Sequence, residues 1–198
     1  MLRGMVFVDH MNFNIALSEN YASMGQNAPN LDYNKIFPGI VSLIPNVDYM
    51  KAIVFAPKPD EFLMNDPALK KYYEWVHGMN QARYIDVVEG RYIGRPTKDP
   101  ESMDISDKST YYKVEKGTDI NLAIHAITQA YNNAFDVAFI VSGDTDYLSL
   151  YRQLKMMGKI VIVVALKTQN LKSVIPEVDN YILLDDGFFS NYLYVRSK

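Results

Sequence analysis

Short, continuous apolar runs recur along the chain. MVFVD (5–9), MKAIVFA (50–56), DVAFIVS (136–142) and KIVIVVAL (159–166) are apolar at successive positions rather than at alternate ones. That pattern predicts strands buried on both faces, as in a parallel sheet. YILLDD after Asn180 predicts a fifth strand. Between these runs, apolar residues at helical spacing predict helices over 14–24, 33–44, 119–134, 147–157 and roughly 170–175. Alternating strands and helices imply a three-layer α/β/α, Rossmannoid arrangement with a mostly parallel sheet.

The stretch 57–115 breaks this rhythm. DPALKKYYEWVHGMNQ predicts a helix with Pro67 in its first turn. ARYIDVVEGRYIGRP and STYYKVEKG read as an antiparallel β insertion, with Glu89-Gly90 turning the first hairpin and the polar run TKDPESMDISDKS forming a mobile loop. The aromatic tail GFFSNYLYVRSK is expected to pack on the domain or on a second copy, which would make a homodimer. No internal repeat interrupts the chain, and 1–198 is read as one domain with a less regular segment at 57–115.

Composition narrows the function more than the fold. With 198 residues, 48% hydrophobic and 22% charged, the chain is ordinary for one globular unit. A net charge of −3 and a pI near 5.6 give no overall basic field, so a polyanion must be held by a local patch or through cations. The absence of cysteine excludes disulfides, thiolate zinc sites and cysteine nucleophiles, and a reducing cytoplasm is the expected setting. No apolar run approaches the ~20 residues that span a bilayer, and the charged N-terminal stretch does not read as a signal peptide; no membrane partner is expected.

Candidate chemistry lies at the strand ends. Asp9 closes the first strand and Asp144 follows the strand 136–142 in FIVSGDTDYLSL. Ligand crevices of doubly wound sheets open at the carboxyl ends of strands where the winding reverses. If these two strands are neighbours there, their ends lie ~5 Å apart and the carboxylates share a pocket. Asp146 and Asp119, each near a helix start, would join them. Crowded carboxylates raise one another's pKa or recruit a cation. Oxygen ligands favour Mg2+ or Mn2+, which can polarise a phosphate and activate a water.

FVDHMNF, KGTDINLAIHAI and IVSGDTDYLSL, in this order, resemble the motifs of the NYN domain, in the LabA-like branch of the PIN-like nuclease superfamily; LKSVIPEVDNYILLDD resembles the same family's C-terminal segment. The resemblance implies a PIN-like fold and metal-dependent ribonuclease activity. Carried over by position, it assigns Asp9, Asp119, Asp144 and Asp146 as catalytic, metal-holding acids and Asn12 as a substrate contact. Where the family usually has a further aspartate this chain has His125, a poorer magnesium ligand.

Each residue has a plainer reading. Asp144 and Asp146 are also good helix caps, Asn12 is a common N-cap, and Asp119 suits a helix start. His125 beside Ile124 and Ile127 reads as a packing residue. Lys116 is a candidate phosphate partner or a solvated lysine. Ser142 can donate to a phosphate oxygen or simply fit a tight strand exit. Asp185 and Asp186 at the last strand's end are expected to be solvated. Arg83, Arg91, Arg95 and Lys98, interleaved with tyrosines, suit single-stranded RNA, although nearby acids dilute the patch.

Two functions of different class follow. The first is a metal-dependent endoribonuclease that hydrolyses RNA phosphodiesters. The second is a catalytically weakened NYN domain that binds RNA or a protein without cutting. A haloacid-dehalogenase type of phosphatase would need a second acid two residues after Asp9, and Met11 stands there; a receiver domain would need an acidic pair at the first strand.

Overall fold

The computed structural model describes residues 1–195, whose strands form one seven-stranded sheet with helices on both faces. The strands are β1 (Leu2–Asp9), β2 (Val47–Pro59), β3 (Ile85–Pro96), β4 (Tyr111–Lys116), β5 (Val137–Val141), β6 (Ile160–Leu166) and β7 (Asn180–Leu184). Their order is β4-β3-β2-β1-β5-β6-β7, and every neighbouring pair is parallel except β3 and β4. This is the α/β/α, PIN-like architecture expected from the sequence.

The helices are α1 (His10–Ser23), α2 (Tyr33–Ser42), α3 (Pro67–Gly78), α4 (Thr118–Tyr131), α5 (Leu148–Met156) and α6 (Asp186–Phe189). Because successive strand side chains point to opposite faces, β1 serves two cores. Val6 and Val8 pack with Phe13 of α1 and Ile36 of α2, whereas Met5 and Phe7 pack with Leu122 of α4 and Leu154 of α5. Burial on both faces is why this strand reads as an unbroken apolar run.

Winding reverses at β1: β2 and β3 extend to one side, β5, β6 and β7 to the other. Val8 pairs with Val141, which leaves Asp9 level with Ser142 at the carboxyl edge. The opposite end of this pair is pinned by Arg3, whose backbone N–H and guanidinium donate to the Asp136 carboxylate at 2.8 Å. The register that brings Asp9 beside the β5 exit is therefore fixed from both ends.

Three expectations change. Glu89-Gly90 makes no hairpin: β3 runs straight through it, pairing with β2 up to Tyr92 and with β4 from Arg91 onward. Glycine is needed there because a Cβ would press into Thr118 Oγ1 and come within 3.0 Å of the Thr118 amide, where α4 begins. The β3–β4 connection is instead the polar loop 97–110, held by Asp104 and Asp107, which accept from the amides and hydroxyls of Ser106 and Ser109.

Residues 170–175 form turns rather than a helix, with a single 3-10 turn at Ile175–Glu177, since Pro176 has no N–H to continue the bonding that Ile175 begins to Leu171. α1 starts at His10, before the expected position, because Asp9 caps it. The aromatic tail packs on its own chain: Leu193 bridges to Leu31, the Tyr194 amide donates to Asn30, and Phe189 is fully buried. Positions 196–198 lie outside the described residues.

Replacing Gly90 with alanine should destabilise the fold by about 1–3 kcal/mol, the usual range for overpacking. Urea unfolding checks it as a lowered midpoint with an unchanged slope.

Candidate active site at the carboxyl edge of the sheet

Asp9 is both the last residue of β1 and the N-cap of α1, and the residue is only 4% exposed. One carboxylate oxygen accepts from the Asn12 amide at 3.1 Å. The other accepts from Ser142 Oγ at 3.3 Å and lies 3.2 Å from the Tyr147 hydroxyl. These partners reach it because β1 and β5 are neighbours and because the β5 exit turns at once into the 3-10 turn Thr145–Tyr147 that leads to α5.

The same Tyr147 hydroxyl is 2.9 Å from Asp119 Oδ1, in the first turn of α4. Gly117 at φ +86° lets the chain swing from β4 into that helix. A phenol carries one proton and donates to one carboxylate at a time. With Asp9 and Asp119 both ionised, one of the two oxygen approaches is therefore unrelieved. A proton on Asp9, or a cation, removes the conflict.

The electrostatics agree with that crowding. Burial, followed by the charges of Asp119 and Glu115, raises the Asp9 carboxyl to about 6, while the Asn12 amide and Tyr147 partly oppose the rise. Loss of solvent and then the charge of Asp119 hold Glu115 above the ordinary range. Among the described residues none of Asp9, Glu115, Asp119, Asp144 or Asp146 has an ion-pair partner.

Asp144 reaches the site through its backbone, whose amide donates to Ser142 Oγ at 3.2 Å; its carboxylate caps the following turn by accepting from the Asp146 amide. Asp146, Asp119 and Tyr147 line an open cleft between α4 and α5. Ser142 is 1% exposed and its hydroxyl is committed to Asp9 and the Asp144 amide, so it positions the acids and does not meet a phosphate. Asn12 is not the N-cap. Its Oδ1 accepts from the Gly143 amide at 3.2 Å and from Gln169 Nε2 at 2.7 Å, which leaves its NH2 as the group free to donate.

His125 is not brought to the acids. It lies six residues beyond Asp119, about 9 Å along the helix axis, and packs edge-on against Phe55 at 5.6 Å. Lys116 is exposed at the end of β4, opposite Arg91. Asp185 caps α6 and pairs with Lys167 near the edge strand β7, remote from β1 in strand order, and Asp186 is exposed. The sequence reading missed three residues: Glu115, Tyr147 and Gln169. Glu115 is the last acid of a strand, as Asp9 is, and Tyr147 follows Asp146 directly, so both carried a signal; Gln169 carried none.

Among the described residues no three histidine, aspartate or glutamate side chains stand close enough to enclose an ion. A magnesium site does not require such a cage, since the ion is commonly held by one or two carboxylates with waters and substrate phosphates completing its shell. Asp9 and Asp119, two oxygen ligands set against one phenol and with no ion-pair partner among the described residues, fit an ion of that kind.

Protonation of Asp9 is linked to stability. Its folded value of about 6 exceeds the ordinary 3.8, so the native state holds the proton more tightly than the unfolded chain. The stabilisation is complete below the unfolded value and is lost as pH rises through about 6, at most about 3 kcal/mol. In EDTA, Asp9→Asn should keep the cap and melt at a higher temperature than the parent at pH 7.5, with the gap closing at pH 4; thermal melts at the two pH values check it.

A solved structure resembles this fold across nearly its whole length: a protein of unknown function, VPA0982, from Vibrio parahaemolyticus, with a TM-score of 0.60 and 20% identity over 98% of this chain and 96% of that one. At that identity the likeness concerns the fold. No curated protein matches the sequence. The model of the NYN domain matches residues 3–185, almost the whole sheet and every acid of the crevice. The chain therefore belongs to the NYN domain family, a branch of the PIN-like nucleases.

Proposed function

We propose that this protein is a divalent-metal-dependent endoribonuclease, acting as one unit over 1–198, whose site is the crevice between β1 and β5. The observation that carries the reading is Asp9: a buried carboxylate at the winding reversal, crowded by Asp119 and Glu115 and, among the described residues, without an ion-pair partner. Asp9 and Asp119 hold Mg2+ or Mn2+, which supplies charge to offset a scissile phosphate and to acidify an attacking water. Asp144 and Asp146 form the rim on the α5 side, and the acids together act as the catalytic group.

The remaining work falls to neutral groups. The Asn12 NH2, oriented by Gly143 and Gln169, donates to a non-bridging phosphate oxygen. Ser142 and Tyr147 hold one Asp9 oxygen in place, and the Asn12 backbone amide holds the other. Lys116 offers a point charge to a flanking phosphate. His125 has no part in this scheme.

The lack of a closed three-carboxylate cage favours a second reading, in which the same crevice binds RNA without cutting it. One experiment separates them. Single-stranded RNA incubated with Mn2+ or Mg2+ should be cleaved internally, EDTA should stop the reaction, and Asp9→Asn or Asp119→Asn should each lower the rate by two orders of magnitude or more. Mn2+ should raise the melting temperature of the parent at pH 7.5 but not that of Asp9→Asn. No cleavage with either ion, and no effect of metal on melting, would reject the nuclease.

A further inference from the structure

Two concave surfaces flank the crevice on the side of α1 and α3, and neither belongs to the acid cluster. The first has a volume of about 340 Å³ and is walled by Met11 and Ile15 of α1, Leu69 and Tyr72 of α3, Pro57 and Tyr92. The second, about 810 Å³, is lined by Asn30, Lys71, Tyr72, Trp75 and Tyr194. The two share Asn14 and Tyr72, so they form one groove with the Tyr72 ring at its waist.

This groove lies beside the acid site. Met11 is two residues after Asp9, and Pro57 is two residues beyond Phe55, the strand partner of Asp9. Tyr92 is the strand partner of Glu115. The charges of Glu115 and Asp9 are both felt by Tyr72.

Its aromatic walls are set in advance. The Tyr72 hydroxyl is 2.6 Å from Nδ1 of His10, which is fully buried and neutral, held down to about 4 by burial. Tyr33, Tyr72 and Trp75 all lie 5.6 Å from the imidazole and tilt around it. Trp75 is one α-helical turn beyond Tyr72 and is nevertheless 46% exposed. Lys113 stands 6.0 Å over the Tyr92 ring, and Lys71 lies in the wider half. Rings spaced along a trough with lysines beside them match a nucleic acid whose bases are unpaired; a duplex keeps its base faces stacked inside.

We infer that the α1–α3 groove is the track for single-stranded RNA leaving the acid crevice, with successive bases on either side of Tyr72, the second over Trp75, and a phosphate beside Lys71. The inference rests on the proposed function for its choice of ligand. A cavity of about 340 Å³ admits one nucleotide and the wider half admits the next. Asn14 and Ser18, on the exposed side of α1, present polar atoms to base edges in the first half.

Trp75 is the single tryptophan of the chain, so the wild-type protein carries its own reporter. A six-nucleotide single-stranded RNA titrated at low salt in EDTA should quench its fluorescence saturably, and duplex RNA of equal length should not. Lys71→Glu and Tyr92→Ala should each weaken the quench tenfold or more with unchanged circular dichroism, and Asp144→Asn should retain it. RNA that is cut in Mn2+ or bound by filter assay yet leaves Trp75 unaltered would overturn the track while the nuclease stands. So would equal quenching by duplex, or full quenching in both groove variants. Quenching without any cleavage in Mn2+ would support the track and reject the nuclease.

Discussion

A carboxylate placed under protein at the end of a buried strand governs this structure. Leaving an isolated ion in such a place costs several kcal/mol, so the surroundings must donate to it, protonate it or supply a cation. The fold gives Asp9 an amide, a serine hydroxyl and a shared phenol, but among the described residues no lysine or arginine. Three donors reduce the cost without removing it, and the elevated carboxyl pKa is what remains. A salt link would have stabilised the chain more simply. Its absence leaves a negative site that a metal ion can complete.

That requirement explains features distant in sequence. Asp119 must arrive on the first turn of α4, so β3 carries the chain past the carboxyl edge and antiparallel β4 brings it back to that edge before it turns into the helix. β3 extends past β2 to support β4, and Gly90 gives way where Thr118 enters. On the other side of β1, Ser142 is small enough to be fully buried and polar enough to link Asp9 with the Asp144 amide. The Arg3–Asp136 pair at the far end holds the same two strands in register. Because it is partly solvated, its value lies more in alignment than in stability.

Much of this was legible in the sequence. Strands buried on both faces announce themselves as apolar runs, and an acid closing such a run stands where crevices open, so Asp9 and the β5 exit were readable without coordinates. The segment 57–115 was harder, because Glu89-Gly90 has the composition of a turn while its glycine serves the approach of a helix remote in sequence. The 170–175 region has helical spacing, but Pro176 ends the possibility within one turn. Gln169 was invisible for a different reason. Its role consists of gripping Asn12 across 157 positions, and nothing local distinguishes it from a solvated glutamine.

Asn12 shows why such grips matter to chemistry. An amide offers an acceptor and a donor, and either could face the crevice. Gly143 N–H and Gln169 Nε2 both occupy Oδ1, so the carbonyl is taken and the NH2 is what remains for a ligand. The crevice thus has acceptor oxygens from Asp9 and Asp119 on one side and a donor on the other. An anion alone would be repelled by the first, and a cation alone would gain nothing from the second. A phosphate paired with a cation would satisfy both, and that is the pair the proposed function requires; the orientation of one amide, fixed by a glutamine far along the chain, is what the proposal draws on.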